Sequence, residues 1–553
     1  MLTMFLRHLT SSTALLVATL GLTRAASAAE WQWSVPDGSA RVYLWIPPNC
    51  AHVRGVVVGN HNMLEQDIFE RLVMRETLTK LGFAEAWAVP GLGNIFDIDK
   101  GDVGRRIEGA LDRLADESGY AELKTAPIVA LGHSANATWP WSFAAWKPQR
   151  TLAVLSIKGD APQTNLAGYG KPATPWGDRT IDGIPGLMVM GEYEWWEDRL
   201  TPLLDFRRRH PEATVAFLCD AGSSHFGSSD ALVEFLAMFV RKAAEARLPV
   251  EPATGDAAPE LRPVDVEQGW LVDRWHPNQA PTAAPALYAS YAGDRSTALW
   301  AFDQEMADAT EAHYRTSFGK KPQFIGVMQA GQIIYRKPTQ EQVRPDFAPA
   351  ADGMTFSLDG VLLDAWPDAP AKEATQPTTL PTIVPGDGAA VRFTRIMGPV
   401  AQIGPNVFRL QFGRAEFTEN GRNNDLWLLA YHPGNAAFKP AVQQLKVRAE
   451  PNTTGKPQFI SFPAIVDVTT GVRSLTLTAT SDAGLPVQYY VREGPAEVDG
   501  NTLALSTVPP RAKFPVKVTV VAWQWGTPGP NGVQSAKPVV VSFSIRRSDK
   551  PHE

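Results

Sequence analysis

The sequence predicts an α/β fold for residues 29–249, with a mostly parallel sheet covered by helices. In this region, short apolar runs rich in β-branched residues alternate with amphipathic stretches, and such alternation is typical of strand–helix–strand units. Two of the runs, GVVVG at 55–59 and PIVALG at 127–132, are continuously apolar. A strand without polar alternation is buried on both faces, as in the middle of a helix-covered parallel sheet.

The predicted strands and helices can be placed in order along this region. The first two strands follow each other closely and indicate a hairpin, whereas the other six alternate with helical stretches. Ile107, Ala110, Leu111 and Leu114 repeat at helical spacing on a segment that is charged on its other side, which predicts an amphipathic helix. The predicted strands are 31–35, 41–46, 55–59, 84–89, 128–132, 152–157, 186–191 and 214–219.

Composition limits the classes of function. The chain has 553 residues, of which 44% are hydrophobic and 20% charged, as expected for several globular domains with a sizeable core. A net charge of -6 gives no reason to expect nucleic acid or an anionic membrane as a partner. Metal-binding His-Glu-x-x-His patterns and phosphate-binding loops are absent from the sequence, and Gly91-Leu-Gly-Asn indicates a turn. We therefore expect no metal and no cofactor.

Residues 1–28 have the pattern of a secretory signal peptide. Basic residues precede an apolar run over 14–22, and Ala26-Ser-Ala supplies the small residues of a cleavage site. The run is too short to span a bilayer as a helix. We expect a cleaved signal and a secreted or periplasmic protein without membrane contact, with an uncleaved anchor as the alternative. Only Cys50 and Cys219 are available for a disulfide, and their pairing stays open.

Beyond residue 249 the pattern changes three times. Proline and alanine thicken from residue 249, which predicts a linker and a helical extension over 250–322. Strand-like runs then predict a β-rich domain over 323–455. Residues 456–553 form short alternating runs, and LTLTATSDAGLPVQYY at 475–490 resembles the Ig-like domains appended to exported bacterial enzymes. The resemblance implies an attachment module, which we expect to bury its own core and to be dispensable for chemistry.

The most informative motif is ALGHSANA at 130–137, where a buried strand ends and a helix begins. A serine at such a point lies on a sharp turn that exposes its hydroxyl, and the small residues Gly132 and Ala135 suit that turn. The motif resembles the nucleophile elbow G-x-S-x-G of the α/β-hydrolases, with Asn136 in place of the second glycine. Asparagine accepts unusual backbone angles better than most residues. The resemblance implies that Ser134 is the nucleophile.

The family resemblance also implies a base and an acid, in the chain order serine, acid, histidine. His225 follows the last predicted strand and fits the base, although a surface-loop histidine without a role is the alternative. The acid should follow the preceding strand, where Glu194 matches a Gly-x-x-Asp arrangement common in the family. Glu192 is the rival acid, and a surface ion pair between Glu194 and Arg199 is the other reading.

The oxyanion of the tetrahedral intermediate needs two backbone N–H donors. The resemblance implies Ala135 as one donor, and Asn62 or Met63 in the loop after the third strand as the other. Asn60 and Asn62 could alternatively serve only to stabilise that turn. We expect the His61 side chain to contact the substrate.

Tryptophans follow the predicted nucleophile and flank the predicted acid. Exposed aromatics at this edge of the sheet would hold a sugar ring or an aromatic acyl group, although tryptophan runs also fill cores. Lys158 and Trp176, after the sixth strand, are expected to shape the same pocket. The candidate aromatic platforms are Trp139, Trp141, Trp195 and Trp196.

These features together predict a secreted serine carboxylesterase. Export, the tryptophans and the Ig-like tail favour an esterified polysaccharide as substrate, carrying acetyl, feruloyl or glucuronoyl esters. Two alternatives stay open. The same residues could support a peptidase, a polyester depolymerase or an acyltransferase, or the chain could be a surface binding protein on an inactive hydrolase scaffold.

Overall fold

The computed structural model describes residues 30–94, 96–165, 172–194, 196–250, 257–277, 279–336, 342–367, 390–414 and 425–548. The predicted signal peptide therefore lies outside the described residues. Within these ranges, no helix is both long enough and apolar enough to cross a membrane.

The N-terminal region is built on one sheet of eight strands, which confirms the predicted α/β class. The strands are β1 Trp33–Asp37, β2 Ala40–Trp45, β3 Gly55–Asn60, β4 Phe83–Val89, β5 Ile128–His133, β6 Thr151–Ile157, β7 Gly186–Gly191 and β8 Val215–Asp220. Their order across the sheet is β1-β2-β4-β3-β5-β6-β7-β8. β1, β2 and β4 pair antiparallel, and every later pairing is parallel. Six strands, β3 to β8, are buried along their whole length, as their unbroken apolar runs require.

Helices cover this sheet. They are α1 Glu65–Phe69, α2 Leu72–Leu81, α3 Asp102–Ser118, α4 Trp139–Trp146, α5 Trp196–Arg209 and α6 Asp230–Arg247. In α3 the predicted stripe of Ile107, Ala110, Leu111 and Leu114 is buried. The strand order and the helices that separate the parallel strands give this region the α/β-hydrolase fold.

The remainder of the chain is β-rich, with several small sheets. We call 250–322 the extension, 323–455 the β-rich region and 456–553 the tail. The extension contains β9 Trp270–Val272, β10 Ala286–Leu287, β11 Leu299–Ala301 and α7 Gln304–Arg315. The β-rich region contains β12 Phe324–Gln329, β13 Gln332–Ile333, β14 Thr355–Ser357, β15 Asp359–Leu363, β16 Arg392–Met397, β17 Val400–Gly404, β18 Val407–Leu410, β19 Asp425–His432 and β20 Ala441–Arg448. The tail contains β21 Ile460–Ser461, β22 Val468–Thr469, β23 Ser474–Thr476, β24 Thr480–Ser481, β25 Gln488–Glu493, β26 Ala496–Asp499, β27 Thr502–Leu505, β28 Val516–Trp523 and β29 Val539–Arg546.

The tail does not bury a core of its own, so that expectation is wrong. Its strand β28 is buried on both faces, because alternate side chains belong to different cores. Val518 and Val520 join the cluster of contacting side chains that includes the eight-stranded sheet. Val521 and Trp523 join the core of the β-rich region. The tail is therefore wedged between the other two parts of the chain.

Hydrogen bonds between the tail and the N-terminal region support this packing. The Lys513 N–H donates to the Ser118 carbonyl oxygen over 2.8 Å. Arg511 forms a 3.0 Å ion pair with Glu122, and the Arg511 N–H donates to the Tyr120 hydroxyl over 3.2 Å. These contacts lie next to the end of α3, on a part of the N-terminal region that begins well before β5 along the chain.

Candidate active site

Ser134 lies on the sharp turn that its motif predicts. β5 ends at His133, and Ser134 starts a short 3-10 turn over Ser134–Asn136. Its φ of 53° lies in the left-handed region, which is unusual for a residue with a Cβ. Gly132 permits this geometry, because a Cβ there would come within 1.9 Å of the Asn136 carbonyl oxygen.

Asn136 has a structural role that explains its departure from the family pattern. Its side-chain amide donates to the carbonyl oxygens of Asn60, over 3.1 Å, and His61, over 2.7 Å. A glycine has no side chain to make these bonds. Gly91 allows the close approach, because a Cβ at Gly91 would lie 2.5 Å from the His61 oxygen and 2.6 Å from the Asn136 amide nitrogen.

The structure brings the predicted nucleophile, base and acid together. His225 Nε2 lies 2.7 Å from Ser134 Oγ, and His225 Nδ1 lies 2.7 Å from Glu194 Oε2. The side chain of His225 is 11% exposed and that of Glu194 is fully buried. This arrangement can remove the proton from the serine hydroxyl while the carboxylate orients the imidazole.

The electrostatics of Glu194 favour its charged form. Burial alone would raise the pKa of this carboxyl, but the charge and hydrogen bond of His225 lower it, as do Lys158 and the Gly191 N–H. The net pKa lies below the ordinary value of a glutamate. The Gly191 N–H donates to Glu194 Oε1 over 2.5 Å, which fixes the second carboxylate oxygen. Glu194 is therefore ionised at neutral pH and able to stabilise an imidazolium.

The rival acid Glu192 has other partners. Its Oε1 lies 2.5 Å from the Lys439 amine, and its Oε2 accepts the Gly222 N–H over 2.9 Å. Arg199, considered above as the surface partner of Glu194, forms a buried ion pair with Asp160.

The loop after β3 is organised by a carboxylate that the sequence analysis missed. Glu65 is fully buried, and its Oε2 accepts the N–H groups of Asn62 and Met63 over 2.8 and 2.9 Å. Its Oε1 accepts the His133 N–H over 2.9 Å. Burial raises the pKa of Glu65 to about 7, against the opposing effect of these hydrogen bonds.

These bonds correct part of the predicted oxyanion site. The N–H groups of Asn62 and Met63 both point to the Glu65 carboxylate, so their assignment as oxyanion donors is wrong for this conformation. Ala135 follows Ser134 directly in the turn, and the role of its N–H as a donor stays a prediction. His61 lies edge-on to Trp87, whose Nε1 donates to His61 Nδ1 over 3.3 Å, and contact of His61 with substrate also stays a prediction.

The predicted tryptophan platforms are mostly core residues. Trp139, Trp141 and Trp176 are at most 3% exposed, so their assignment to substrate binding is wrong. Their apolar rings fill the space beneath the elbow, and the indole N–H groups of Trp139 and Trp141 donate to the carbonyl oxygens of Leu131 and Asp160. Trp195 and the side chain of Trp196 lie outside the described residues.

Lys158 is also buried rather than lining a pocket, which corrects its assignment. Its amine lies 2.7 Å from Asp220 Oδ2 and 3.1 Å from Ser223 Oγ. His313 of α7 lies 3.0 Å from the other oxygen of Asp220. Burial would raise the pKa of Asp220, but Lys158 and His313 hold it well below its usual range. Lys158 therefore supports the loop that carries His225.

The β-rich region contributes residues beside the site that sequence patterns did not reveal. The ring of Phe226 lies 4.7 Å from that of His225 and 5.2 Å from that of Trp427 in β19. The ranges covered by the structure contain no group of three side chains arranged to hold a metal ion. Cys50 and Cys219 are both free, buried thiols.

Comparison with known proteins gives likenesses over the N-terminal part only. No protein-family model and no curated protein matches the chain. Among solved structures, a dienelactone hydrolase from Anabaena variabilis is 20% identical with a TM-score of 0.26, covering 39% of this chain and 96% of that one. Est1E from Butyrivibrio proteoclasticus is 15% identical with a TM-score of 0.26, covering 38% and 97%. A carboxylesterase from Mesorhizobium loti is 14% identical with a TM-score of 0.28, covering 38% and 99%.

Proposed function

We propose that this protein is a serine hydrolase that cleaves carboxylic esters through an acyl-enzyme. The observation that carries the proposal is the continuous chain from Ser134 Oγ through His225 to Glu194, with 2.7 Å at each step. The left-handed φ of Ser134 adds support, because strained backbone persists where the surrounding structure enforces it.

In the proposed reaction, His225 Nε2 takes the hydroxyl proton as Ser134 Oγ bonds to the ester carbonyl carbon. The carbonyl oxygen becomes an oxyanion, which we assign to the Ala135 N–H among its donors. The tetrahedral intermediate collapses, the C–O bond to the alcohol breaks, and His225 returns the proton to the departing alkoxide. Water then repeats the sequence on the acyl-enzyme, giving the free acid and Ser134. Glu194 orients the imidazole and stabilises its cation throughout.

The finer proposal is that the protein is exported and acts on an esterified polysaccharide bearing acetyl, feruloyl or glucuronoyl groups. Its support is the predicted signal peptide and the resemblance of the tail to Ig-like domains of exported enzymes. The buried Trp139, Trp141 and Trp176 no longer contribute to this argument. Peptidase, polyester depolymerase and acyltransferase activities use the same residues, and a substrate panel separates them.

A fluorophosphonate reagent tests the central proposal, because it modifies an activated serine covalently. We expect labelling of the wild type, loss of labelling in Ser134→Ala, and normal labelling of the control Ser474→Ala in the tail. Hydrolysis of a chromogenic acetyl ester should fall by more than about 10⁴-fold in Ser134→Ala. Equal labelling of Ser134→Ala and wild type would overturn the assignment. A panel of acetyl, feruloyl and glucuronoyl esters, peptides and polyesters then identifies the substrate class.

A further inference from the structure

The β-rich region contacts both loops that carry the proposed acid and base. We call 191–194 the acid loop and 221–227 the base loop. Lys439 pairs with Glu192 of the acid loop over 2.5 Å, and the Tyr193 hydroxyl donates to the Pro440 carbonyl oxygen over 2.9 Å. In the base loop, the Ser224 hydroxyl donates to Gln444 Oε1 over 2.8 Å. These contacts come from residues more than 200 positions away in sequence, on or just before strand β20.

The Lys439–Glu192 pair is shielded from water. Only 5% of the Lys439 side chain and 6% of the Glu192 side chain are exposed. A buried carboxylate that loses its cation is driven to protonate or to find another positive partner. Lys439 therefore determines what the Glu192 carboxylate does.

Glu192 in turn connects the acid loop to the base loop. Its second oxygen accepts the Gly222 N–H over 2.9 Å, three residues before His225. Beside this bond, the Tyr193 N–H donates to the Ser223 carbonyl oxygen over 2.9 Å. Lys439, Glu192 and Gly222 thus form a continuous polar path from the β-rich region to the base loop.

Glu192 is also a potential competitor of Glu194. The two carboxylates are two residues apart in the same loop, and only Glu194 contacts the imidazole of His225. An imidazolium would attract a second, unpaired carboxylate in this buried setting. The cation of Lys439 removes that competition by binding Glu192 on the side of the β-rich region.

We propose that Lys439 is a positioning residue, which assigns the acid role to Glu194 by holding Glu192 against Gly222. The β-rich region is then part of the catalytic unit. This inference rests on the proposed Ser134–His225–Glu194 mechanism and adds to it the element that fixes the two loops.

The test uses the full chain and four variants. Lys439→Met removes the cation, Lys439→Arg keeps it, and Lys439→Met combined with Glu192→Gln removes both charges. Arg448→Met is the matched control, because it removes a cation from the end of the same strand whose side chain is 52% exposed. We would measure kcat and KM on a chromogenic acetyl ester, expressed per fluorophosphonate-reactive site, so that unfolded protein does not enter the rate.

We expect Lys439→Met to lose about ten-fold or more in kcat with little change in KM, because a small misplacement of a catalytic group has effects of this size. Lys439→Arg and Arg448→Met should remain near wild type. The double variant should recover most of the lost kcat, because a neutral amide in place of the Glu192 carboxylate neither needs a cation nor competes for His225.

Normal kcat per reactive site in Lys439→Met would overturn the inference. A loss that the double variant does not relieve would also overturn it, since that result means a packing role without competition. If Lys439→Met does not fold, the comparison of Lys439→Arg with the double variant decides in the same way. An unlabelled wild type would overturn the proposed function itself, whereas a labelled wild type with an unaffected Lys439→Met would overturn this inference alone.

Discussion

The side-chain amide of Asn136 donates a 2.7 Å hydrogen bond to the carbonyl oxygen of His61, and so joins the turn at Ser134 to the loop after β3. The same amide nitrogen lies 3.1 Å from the Asn60 carbonyl oxygen. Glu65 makes a second connection between these segments, because it accepts N–H groups from Asn62 and His133. The nucleophile and the loop beside it are thus fixed as one unit.

Asn136→Gly restores the usual glycine of the motif but removes both amide hydrogen bonds. We expect the free energy of unfolding to fall by about 1–3 kcal/mol and kcat to fall by about ten-fold. Urea denaturation and ester hydrolysis measure the two effects. Activity or stability above wild type would show that the asparagine only substitutes for glycine, without the connecting role.

Glu194→Gln should be far more damaging than Glu192→Gln. An amide at 194 cannot stabilise the imidazolium, and loss of the corresponding group in a serine protease costs about 10⁴-fold in kcat. Glu192→Gln leaves Glu194 in contact with His225, so we expect only a few-fold loss. Steady-state kcat for both variants checks the order, and the reverse order would transfer the acid role to Glu192.

Glu65 should make stability depend on pH. Its pKa is raised to about 7 in the folded protein, so the folded state keeps the proton at pH values where the unfolded chain has lost it. The contribution of Glu65 to stability is therefore fully present below about pH 4.3, the pKa of an unperturbed glutamate. It is lost as the pH rises towards 7, by at most about 3 kcal/mol in total.

Glu65→Gln checks this sign. The variant should be less stable at low pH, because its amide cannot accept the N–H groups on both oxygens, yet its free energy of unfolding should fall less between about pH 4.5 and 7. His61 and His133 face the same carboxylate, and their own titration cancels in the difference between the two proteins to a first approximation. Parallel pH profiles for wild type and Glu65→Gln would contradict the assignment.

Removing the tail should damage the whole protein. A chain ending at Pro451 would expose the surfaces that now pack against Val518, Val521 and Trp523. We expect poor solubility or a clearly lower Tm, together with lost activity on a small soluble ester. Thermal unfolding and kcat/KM of the truncated chain measure this. Wild-type values for both would restore the view of the tail as an independent attachment module.

Local sequence patterns were sufficient for the sheet and for the order of Ser134, Glu194 and His225, because strand ends place those residues at one edge. Predicted strand ends differ from the observed ones by a few residues, as for 31–35 against Trp33–Asp37. Partners distant in sequence left no such pattern. Lys158 and Asp220 are 62 residues apart, and Lys439 and Glu192 are 247 apart.

The tryptophans show a second limit. An aromatic residue after a strand end is compatible with a ligand platform and with a core, and the choice depends on what packs there. For Trp141, the deciding feature is Gly186 on a strand two positions across the sheet, where a Cβ would come within 2.2 Å of the indole ring. A single sequence does not show that contact.

The two-faced burial of β28 has a consequence for how this chain folds. Ser34, near the start of β1, donates a hydrogen bond to Glu493 in β25, although the two residues are 459 positions apart. Contacts of such long sequence separation require a large loop to close before they form, and proteins dominated by them fold slowly. During synthesis, the N-terminal sheet leaves the ribosome long before the strands that cover it. Its apolar underside must therefore wait for the tail, and this interval is when the chain is most exposed to aggregation and most in need of chaperones.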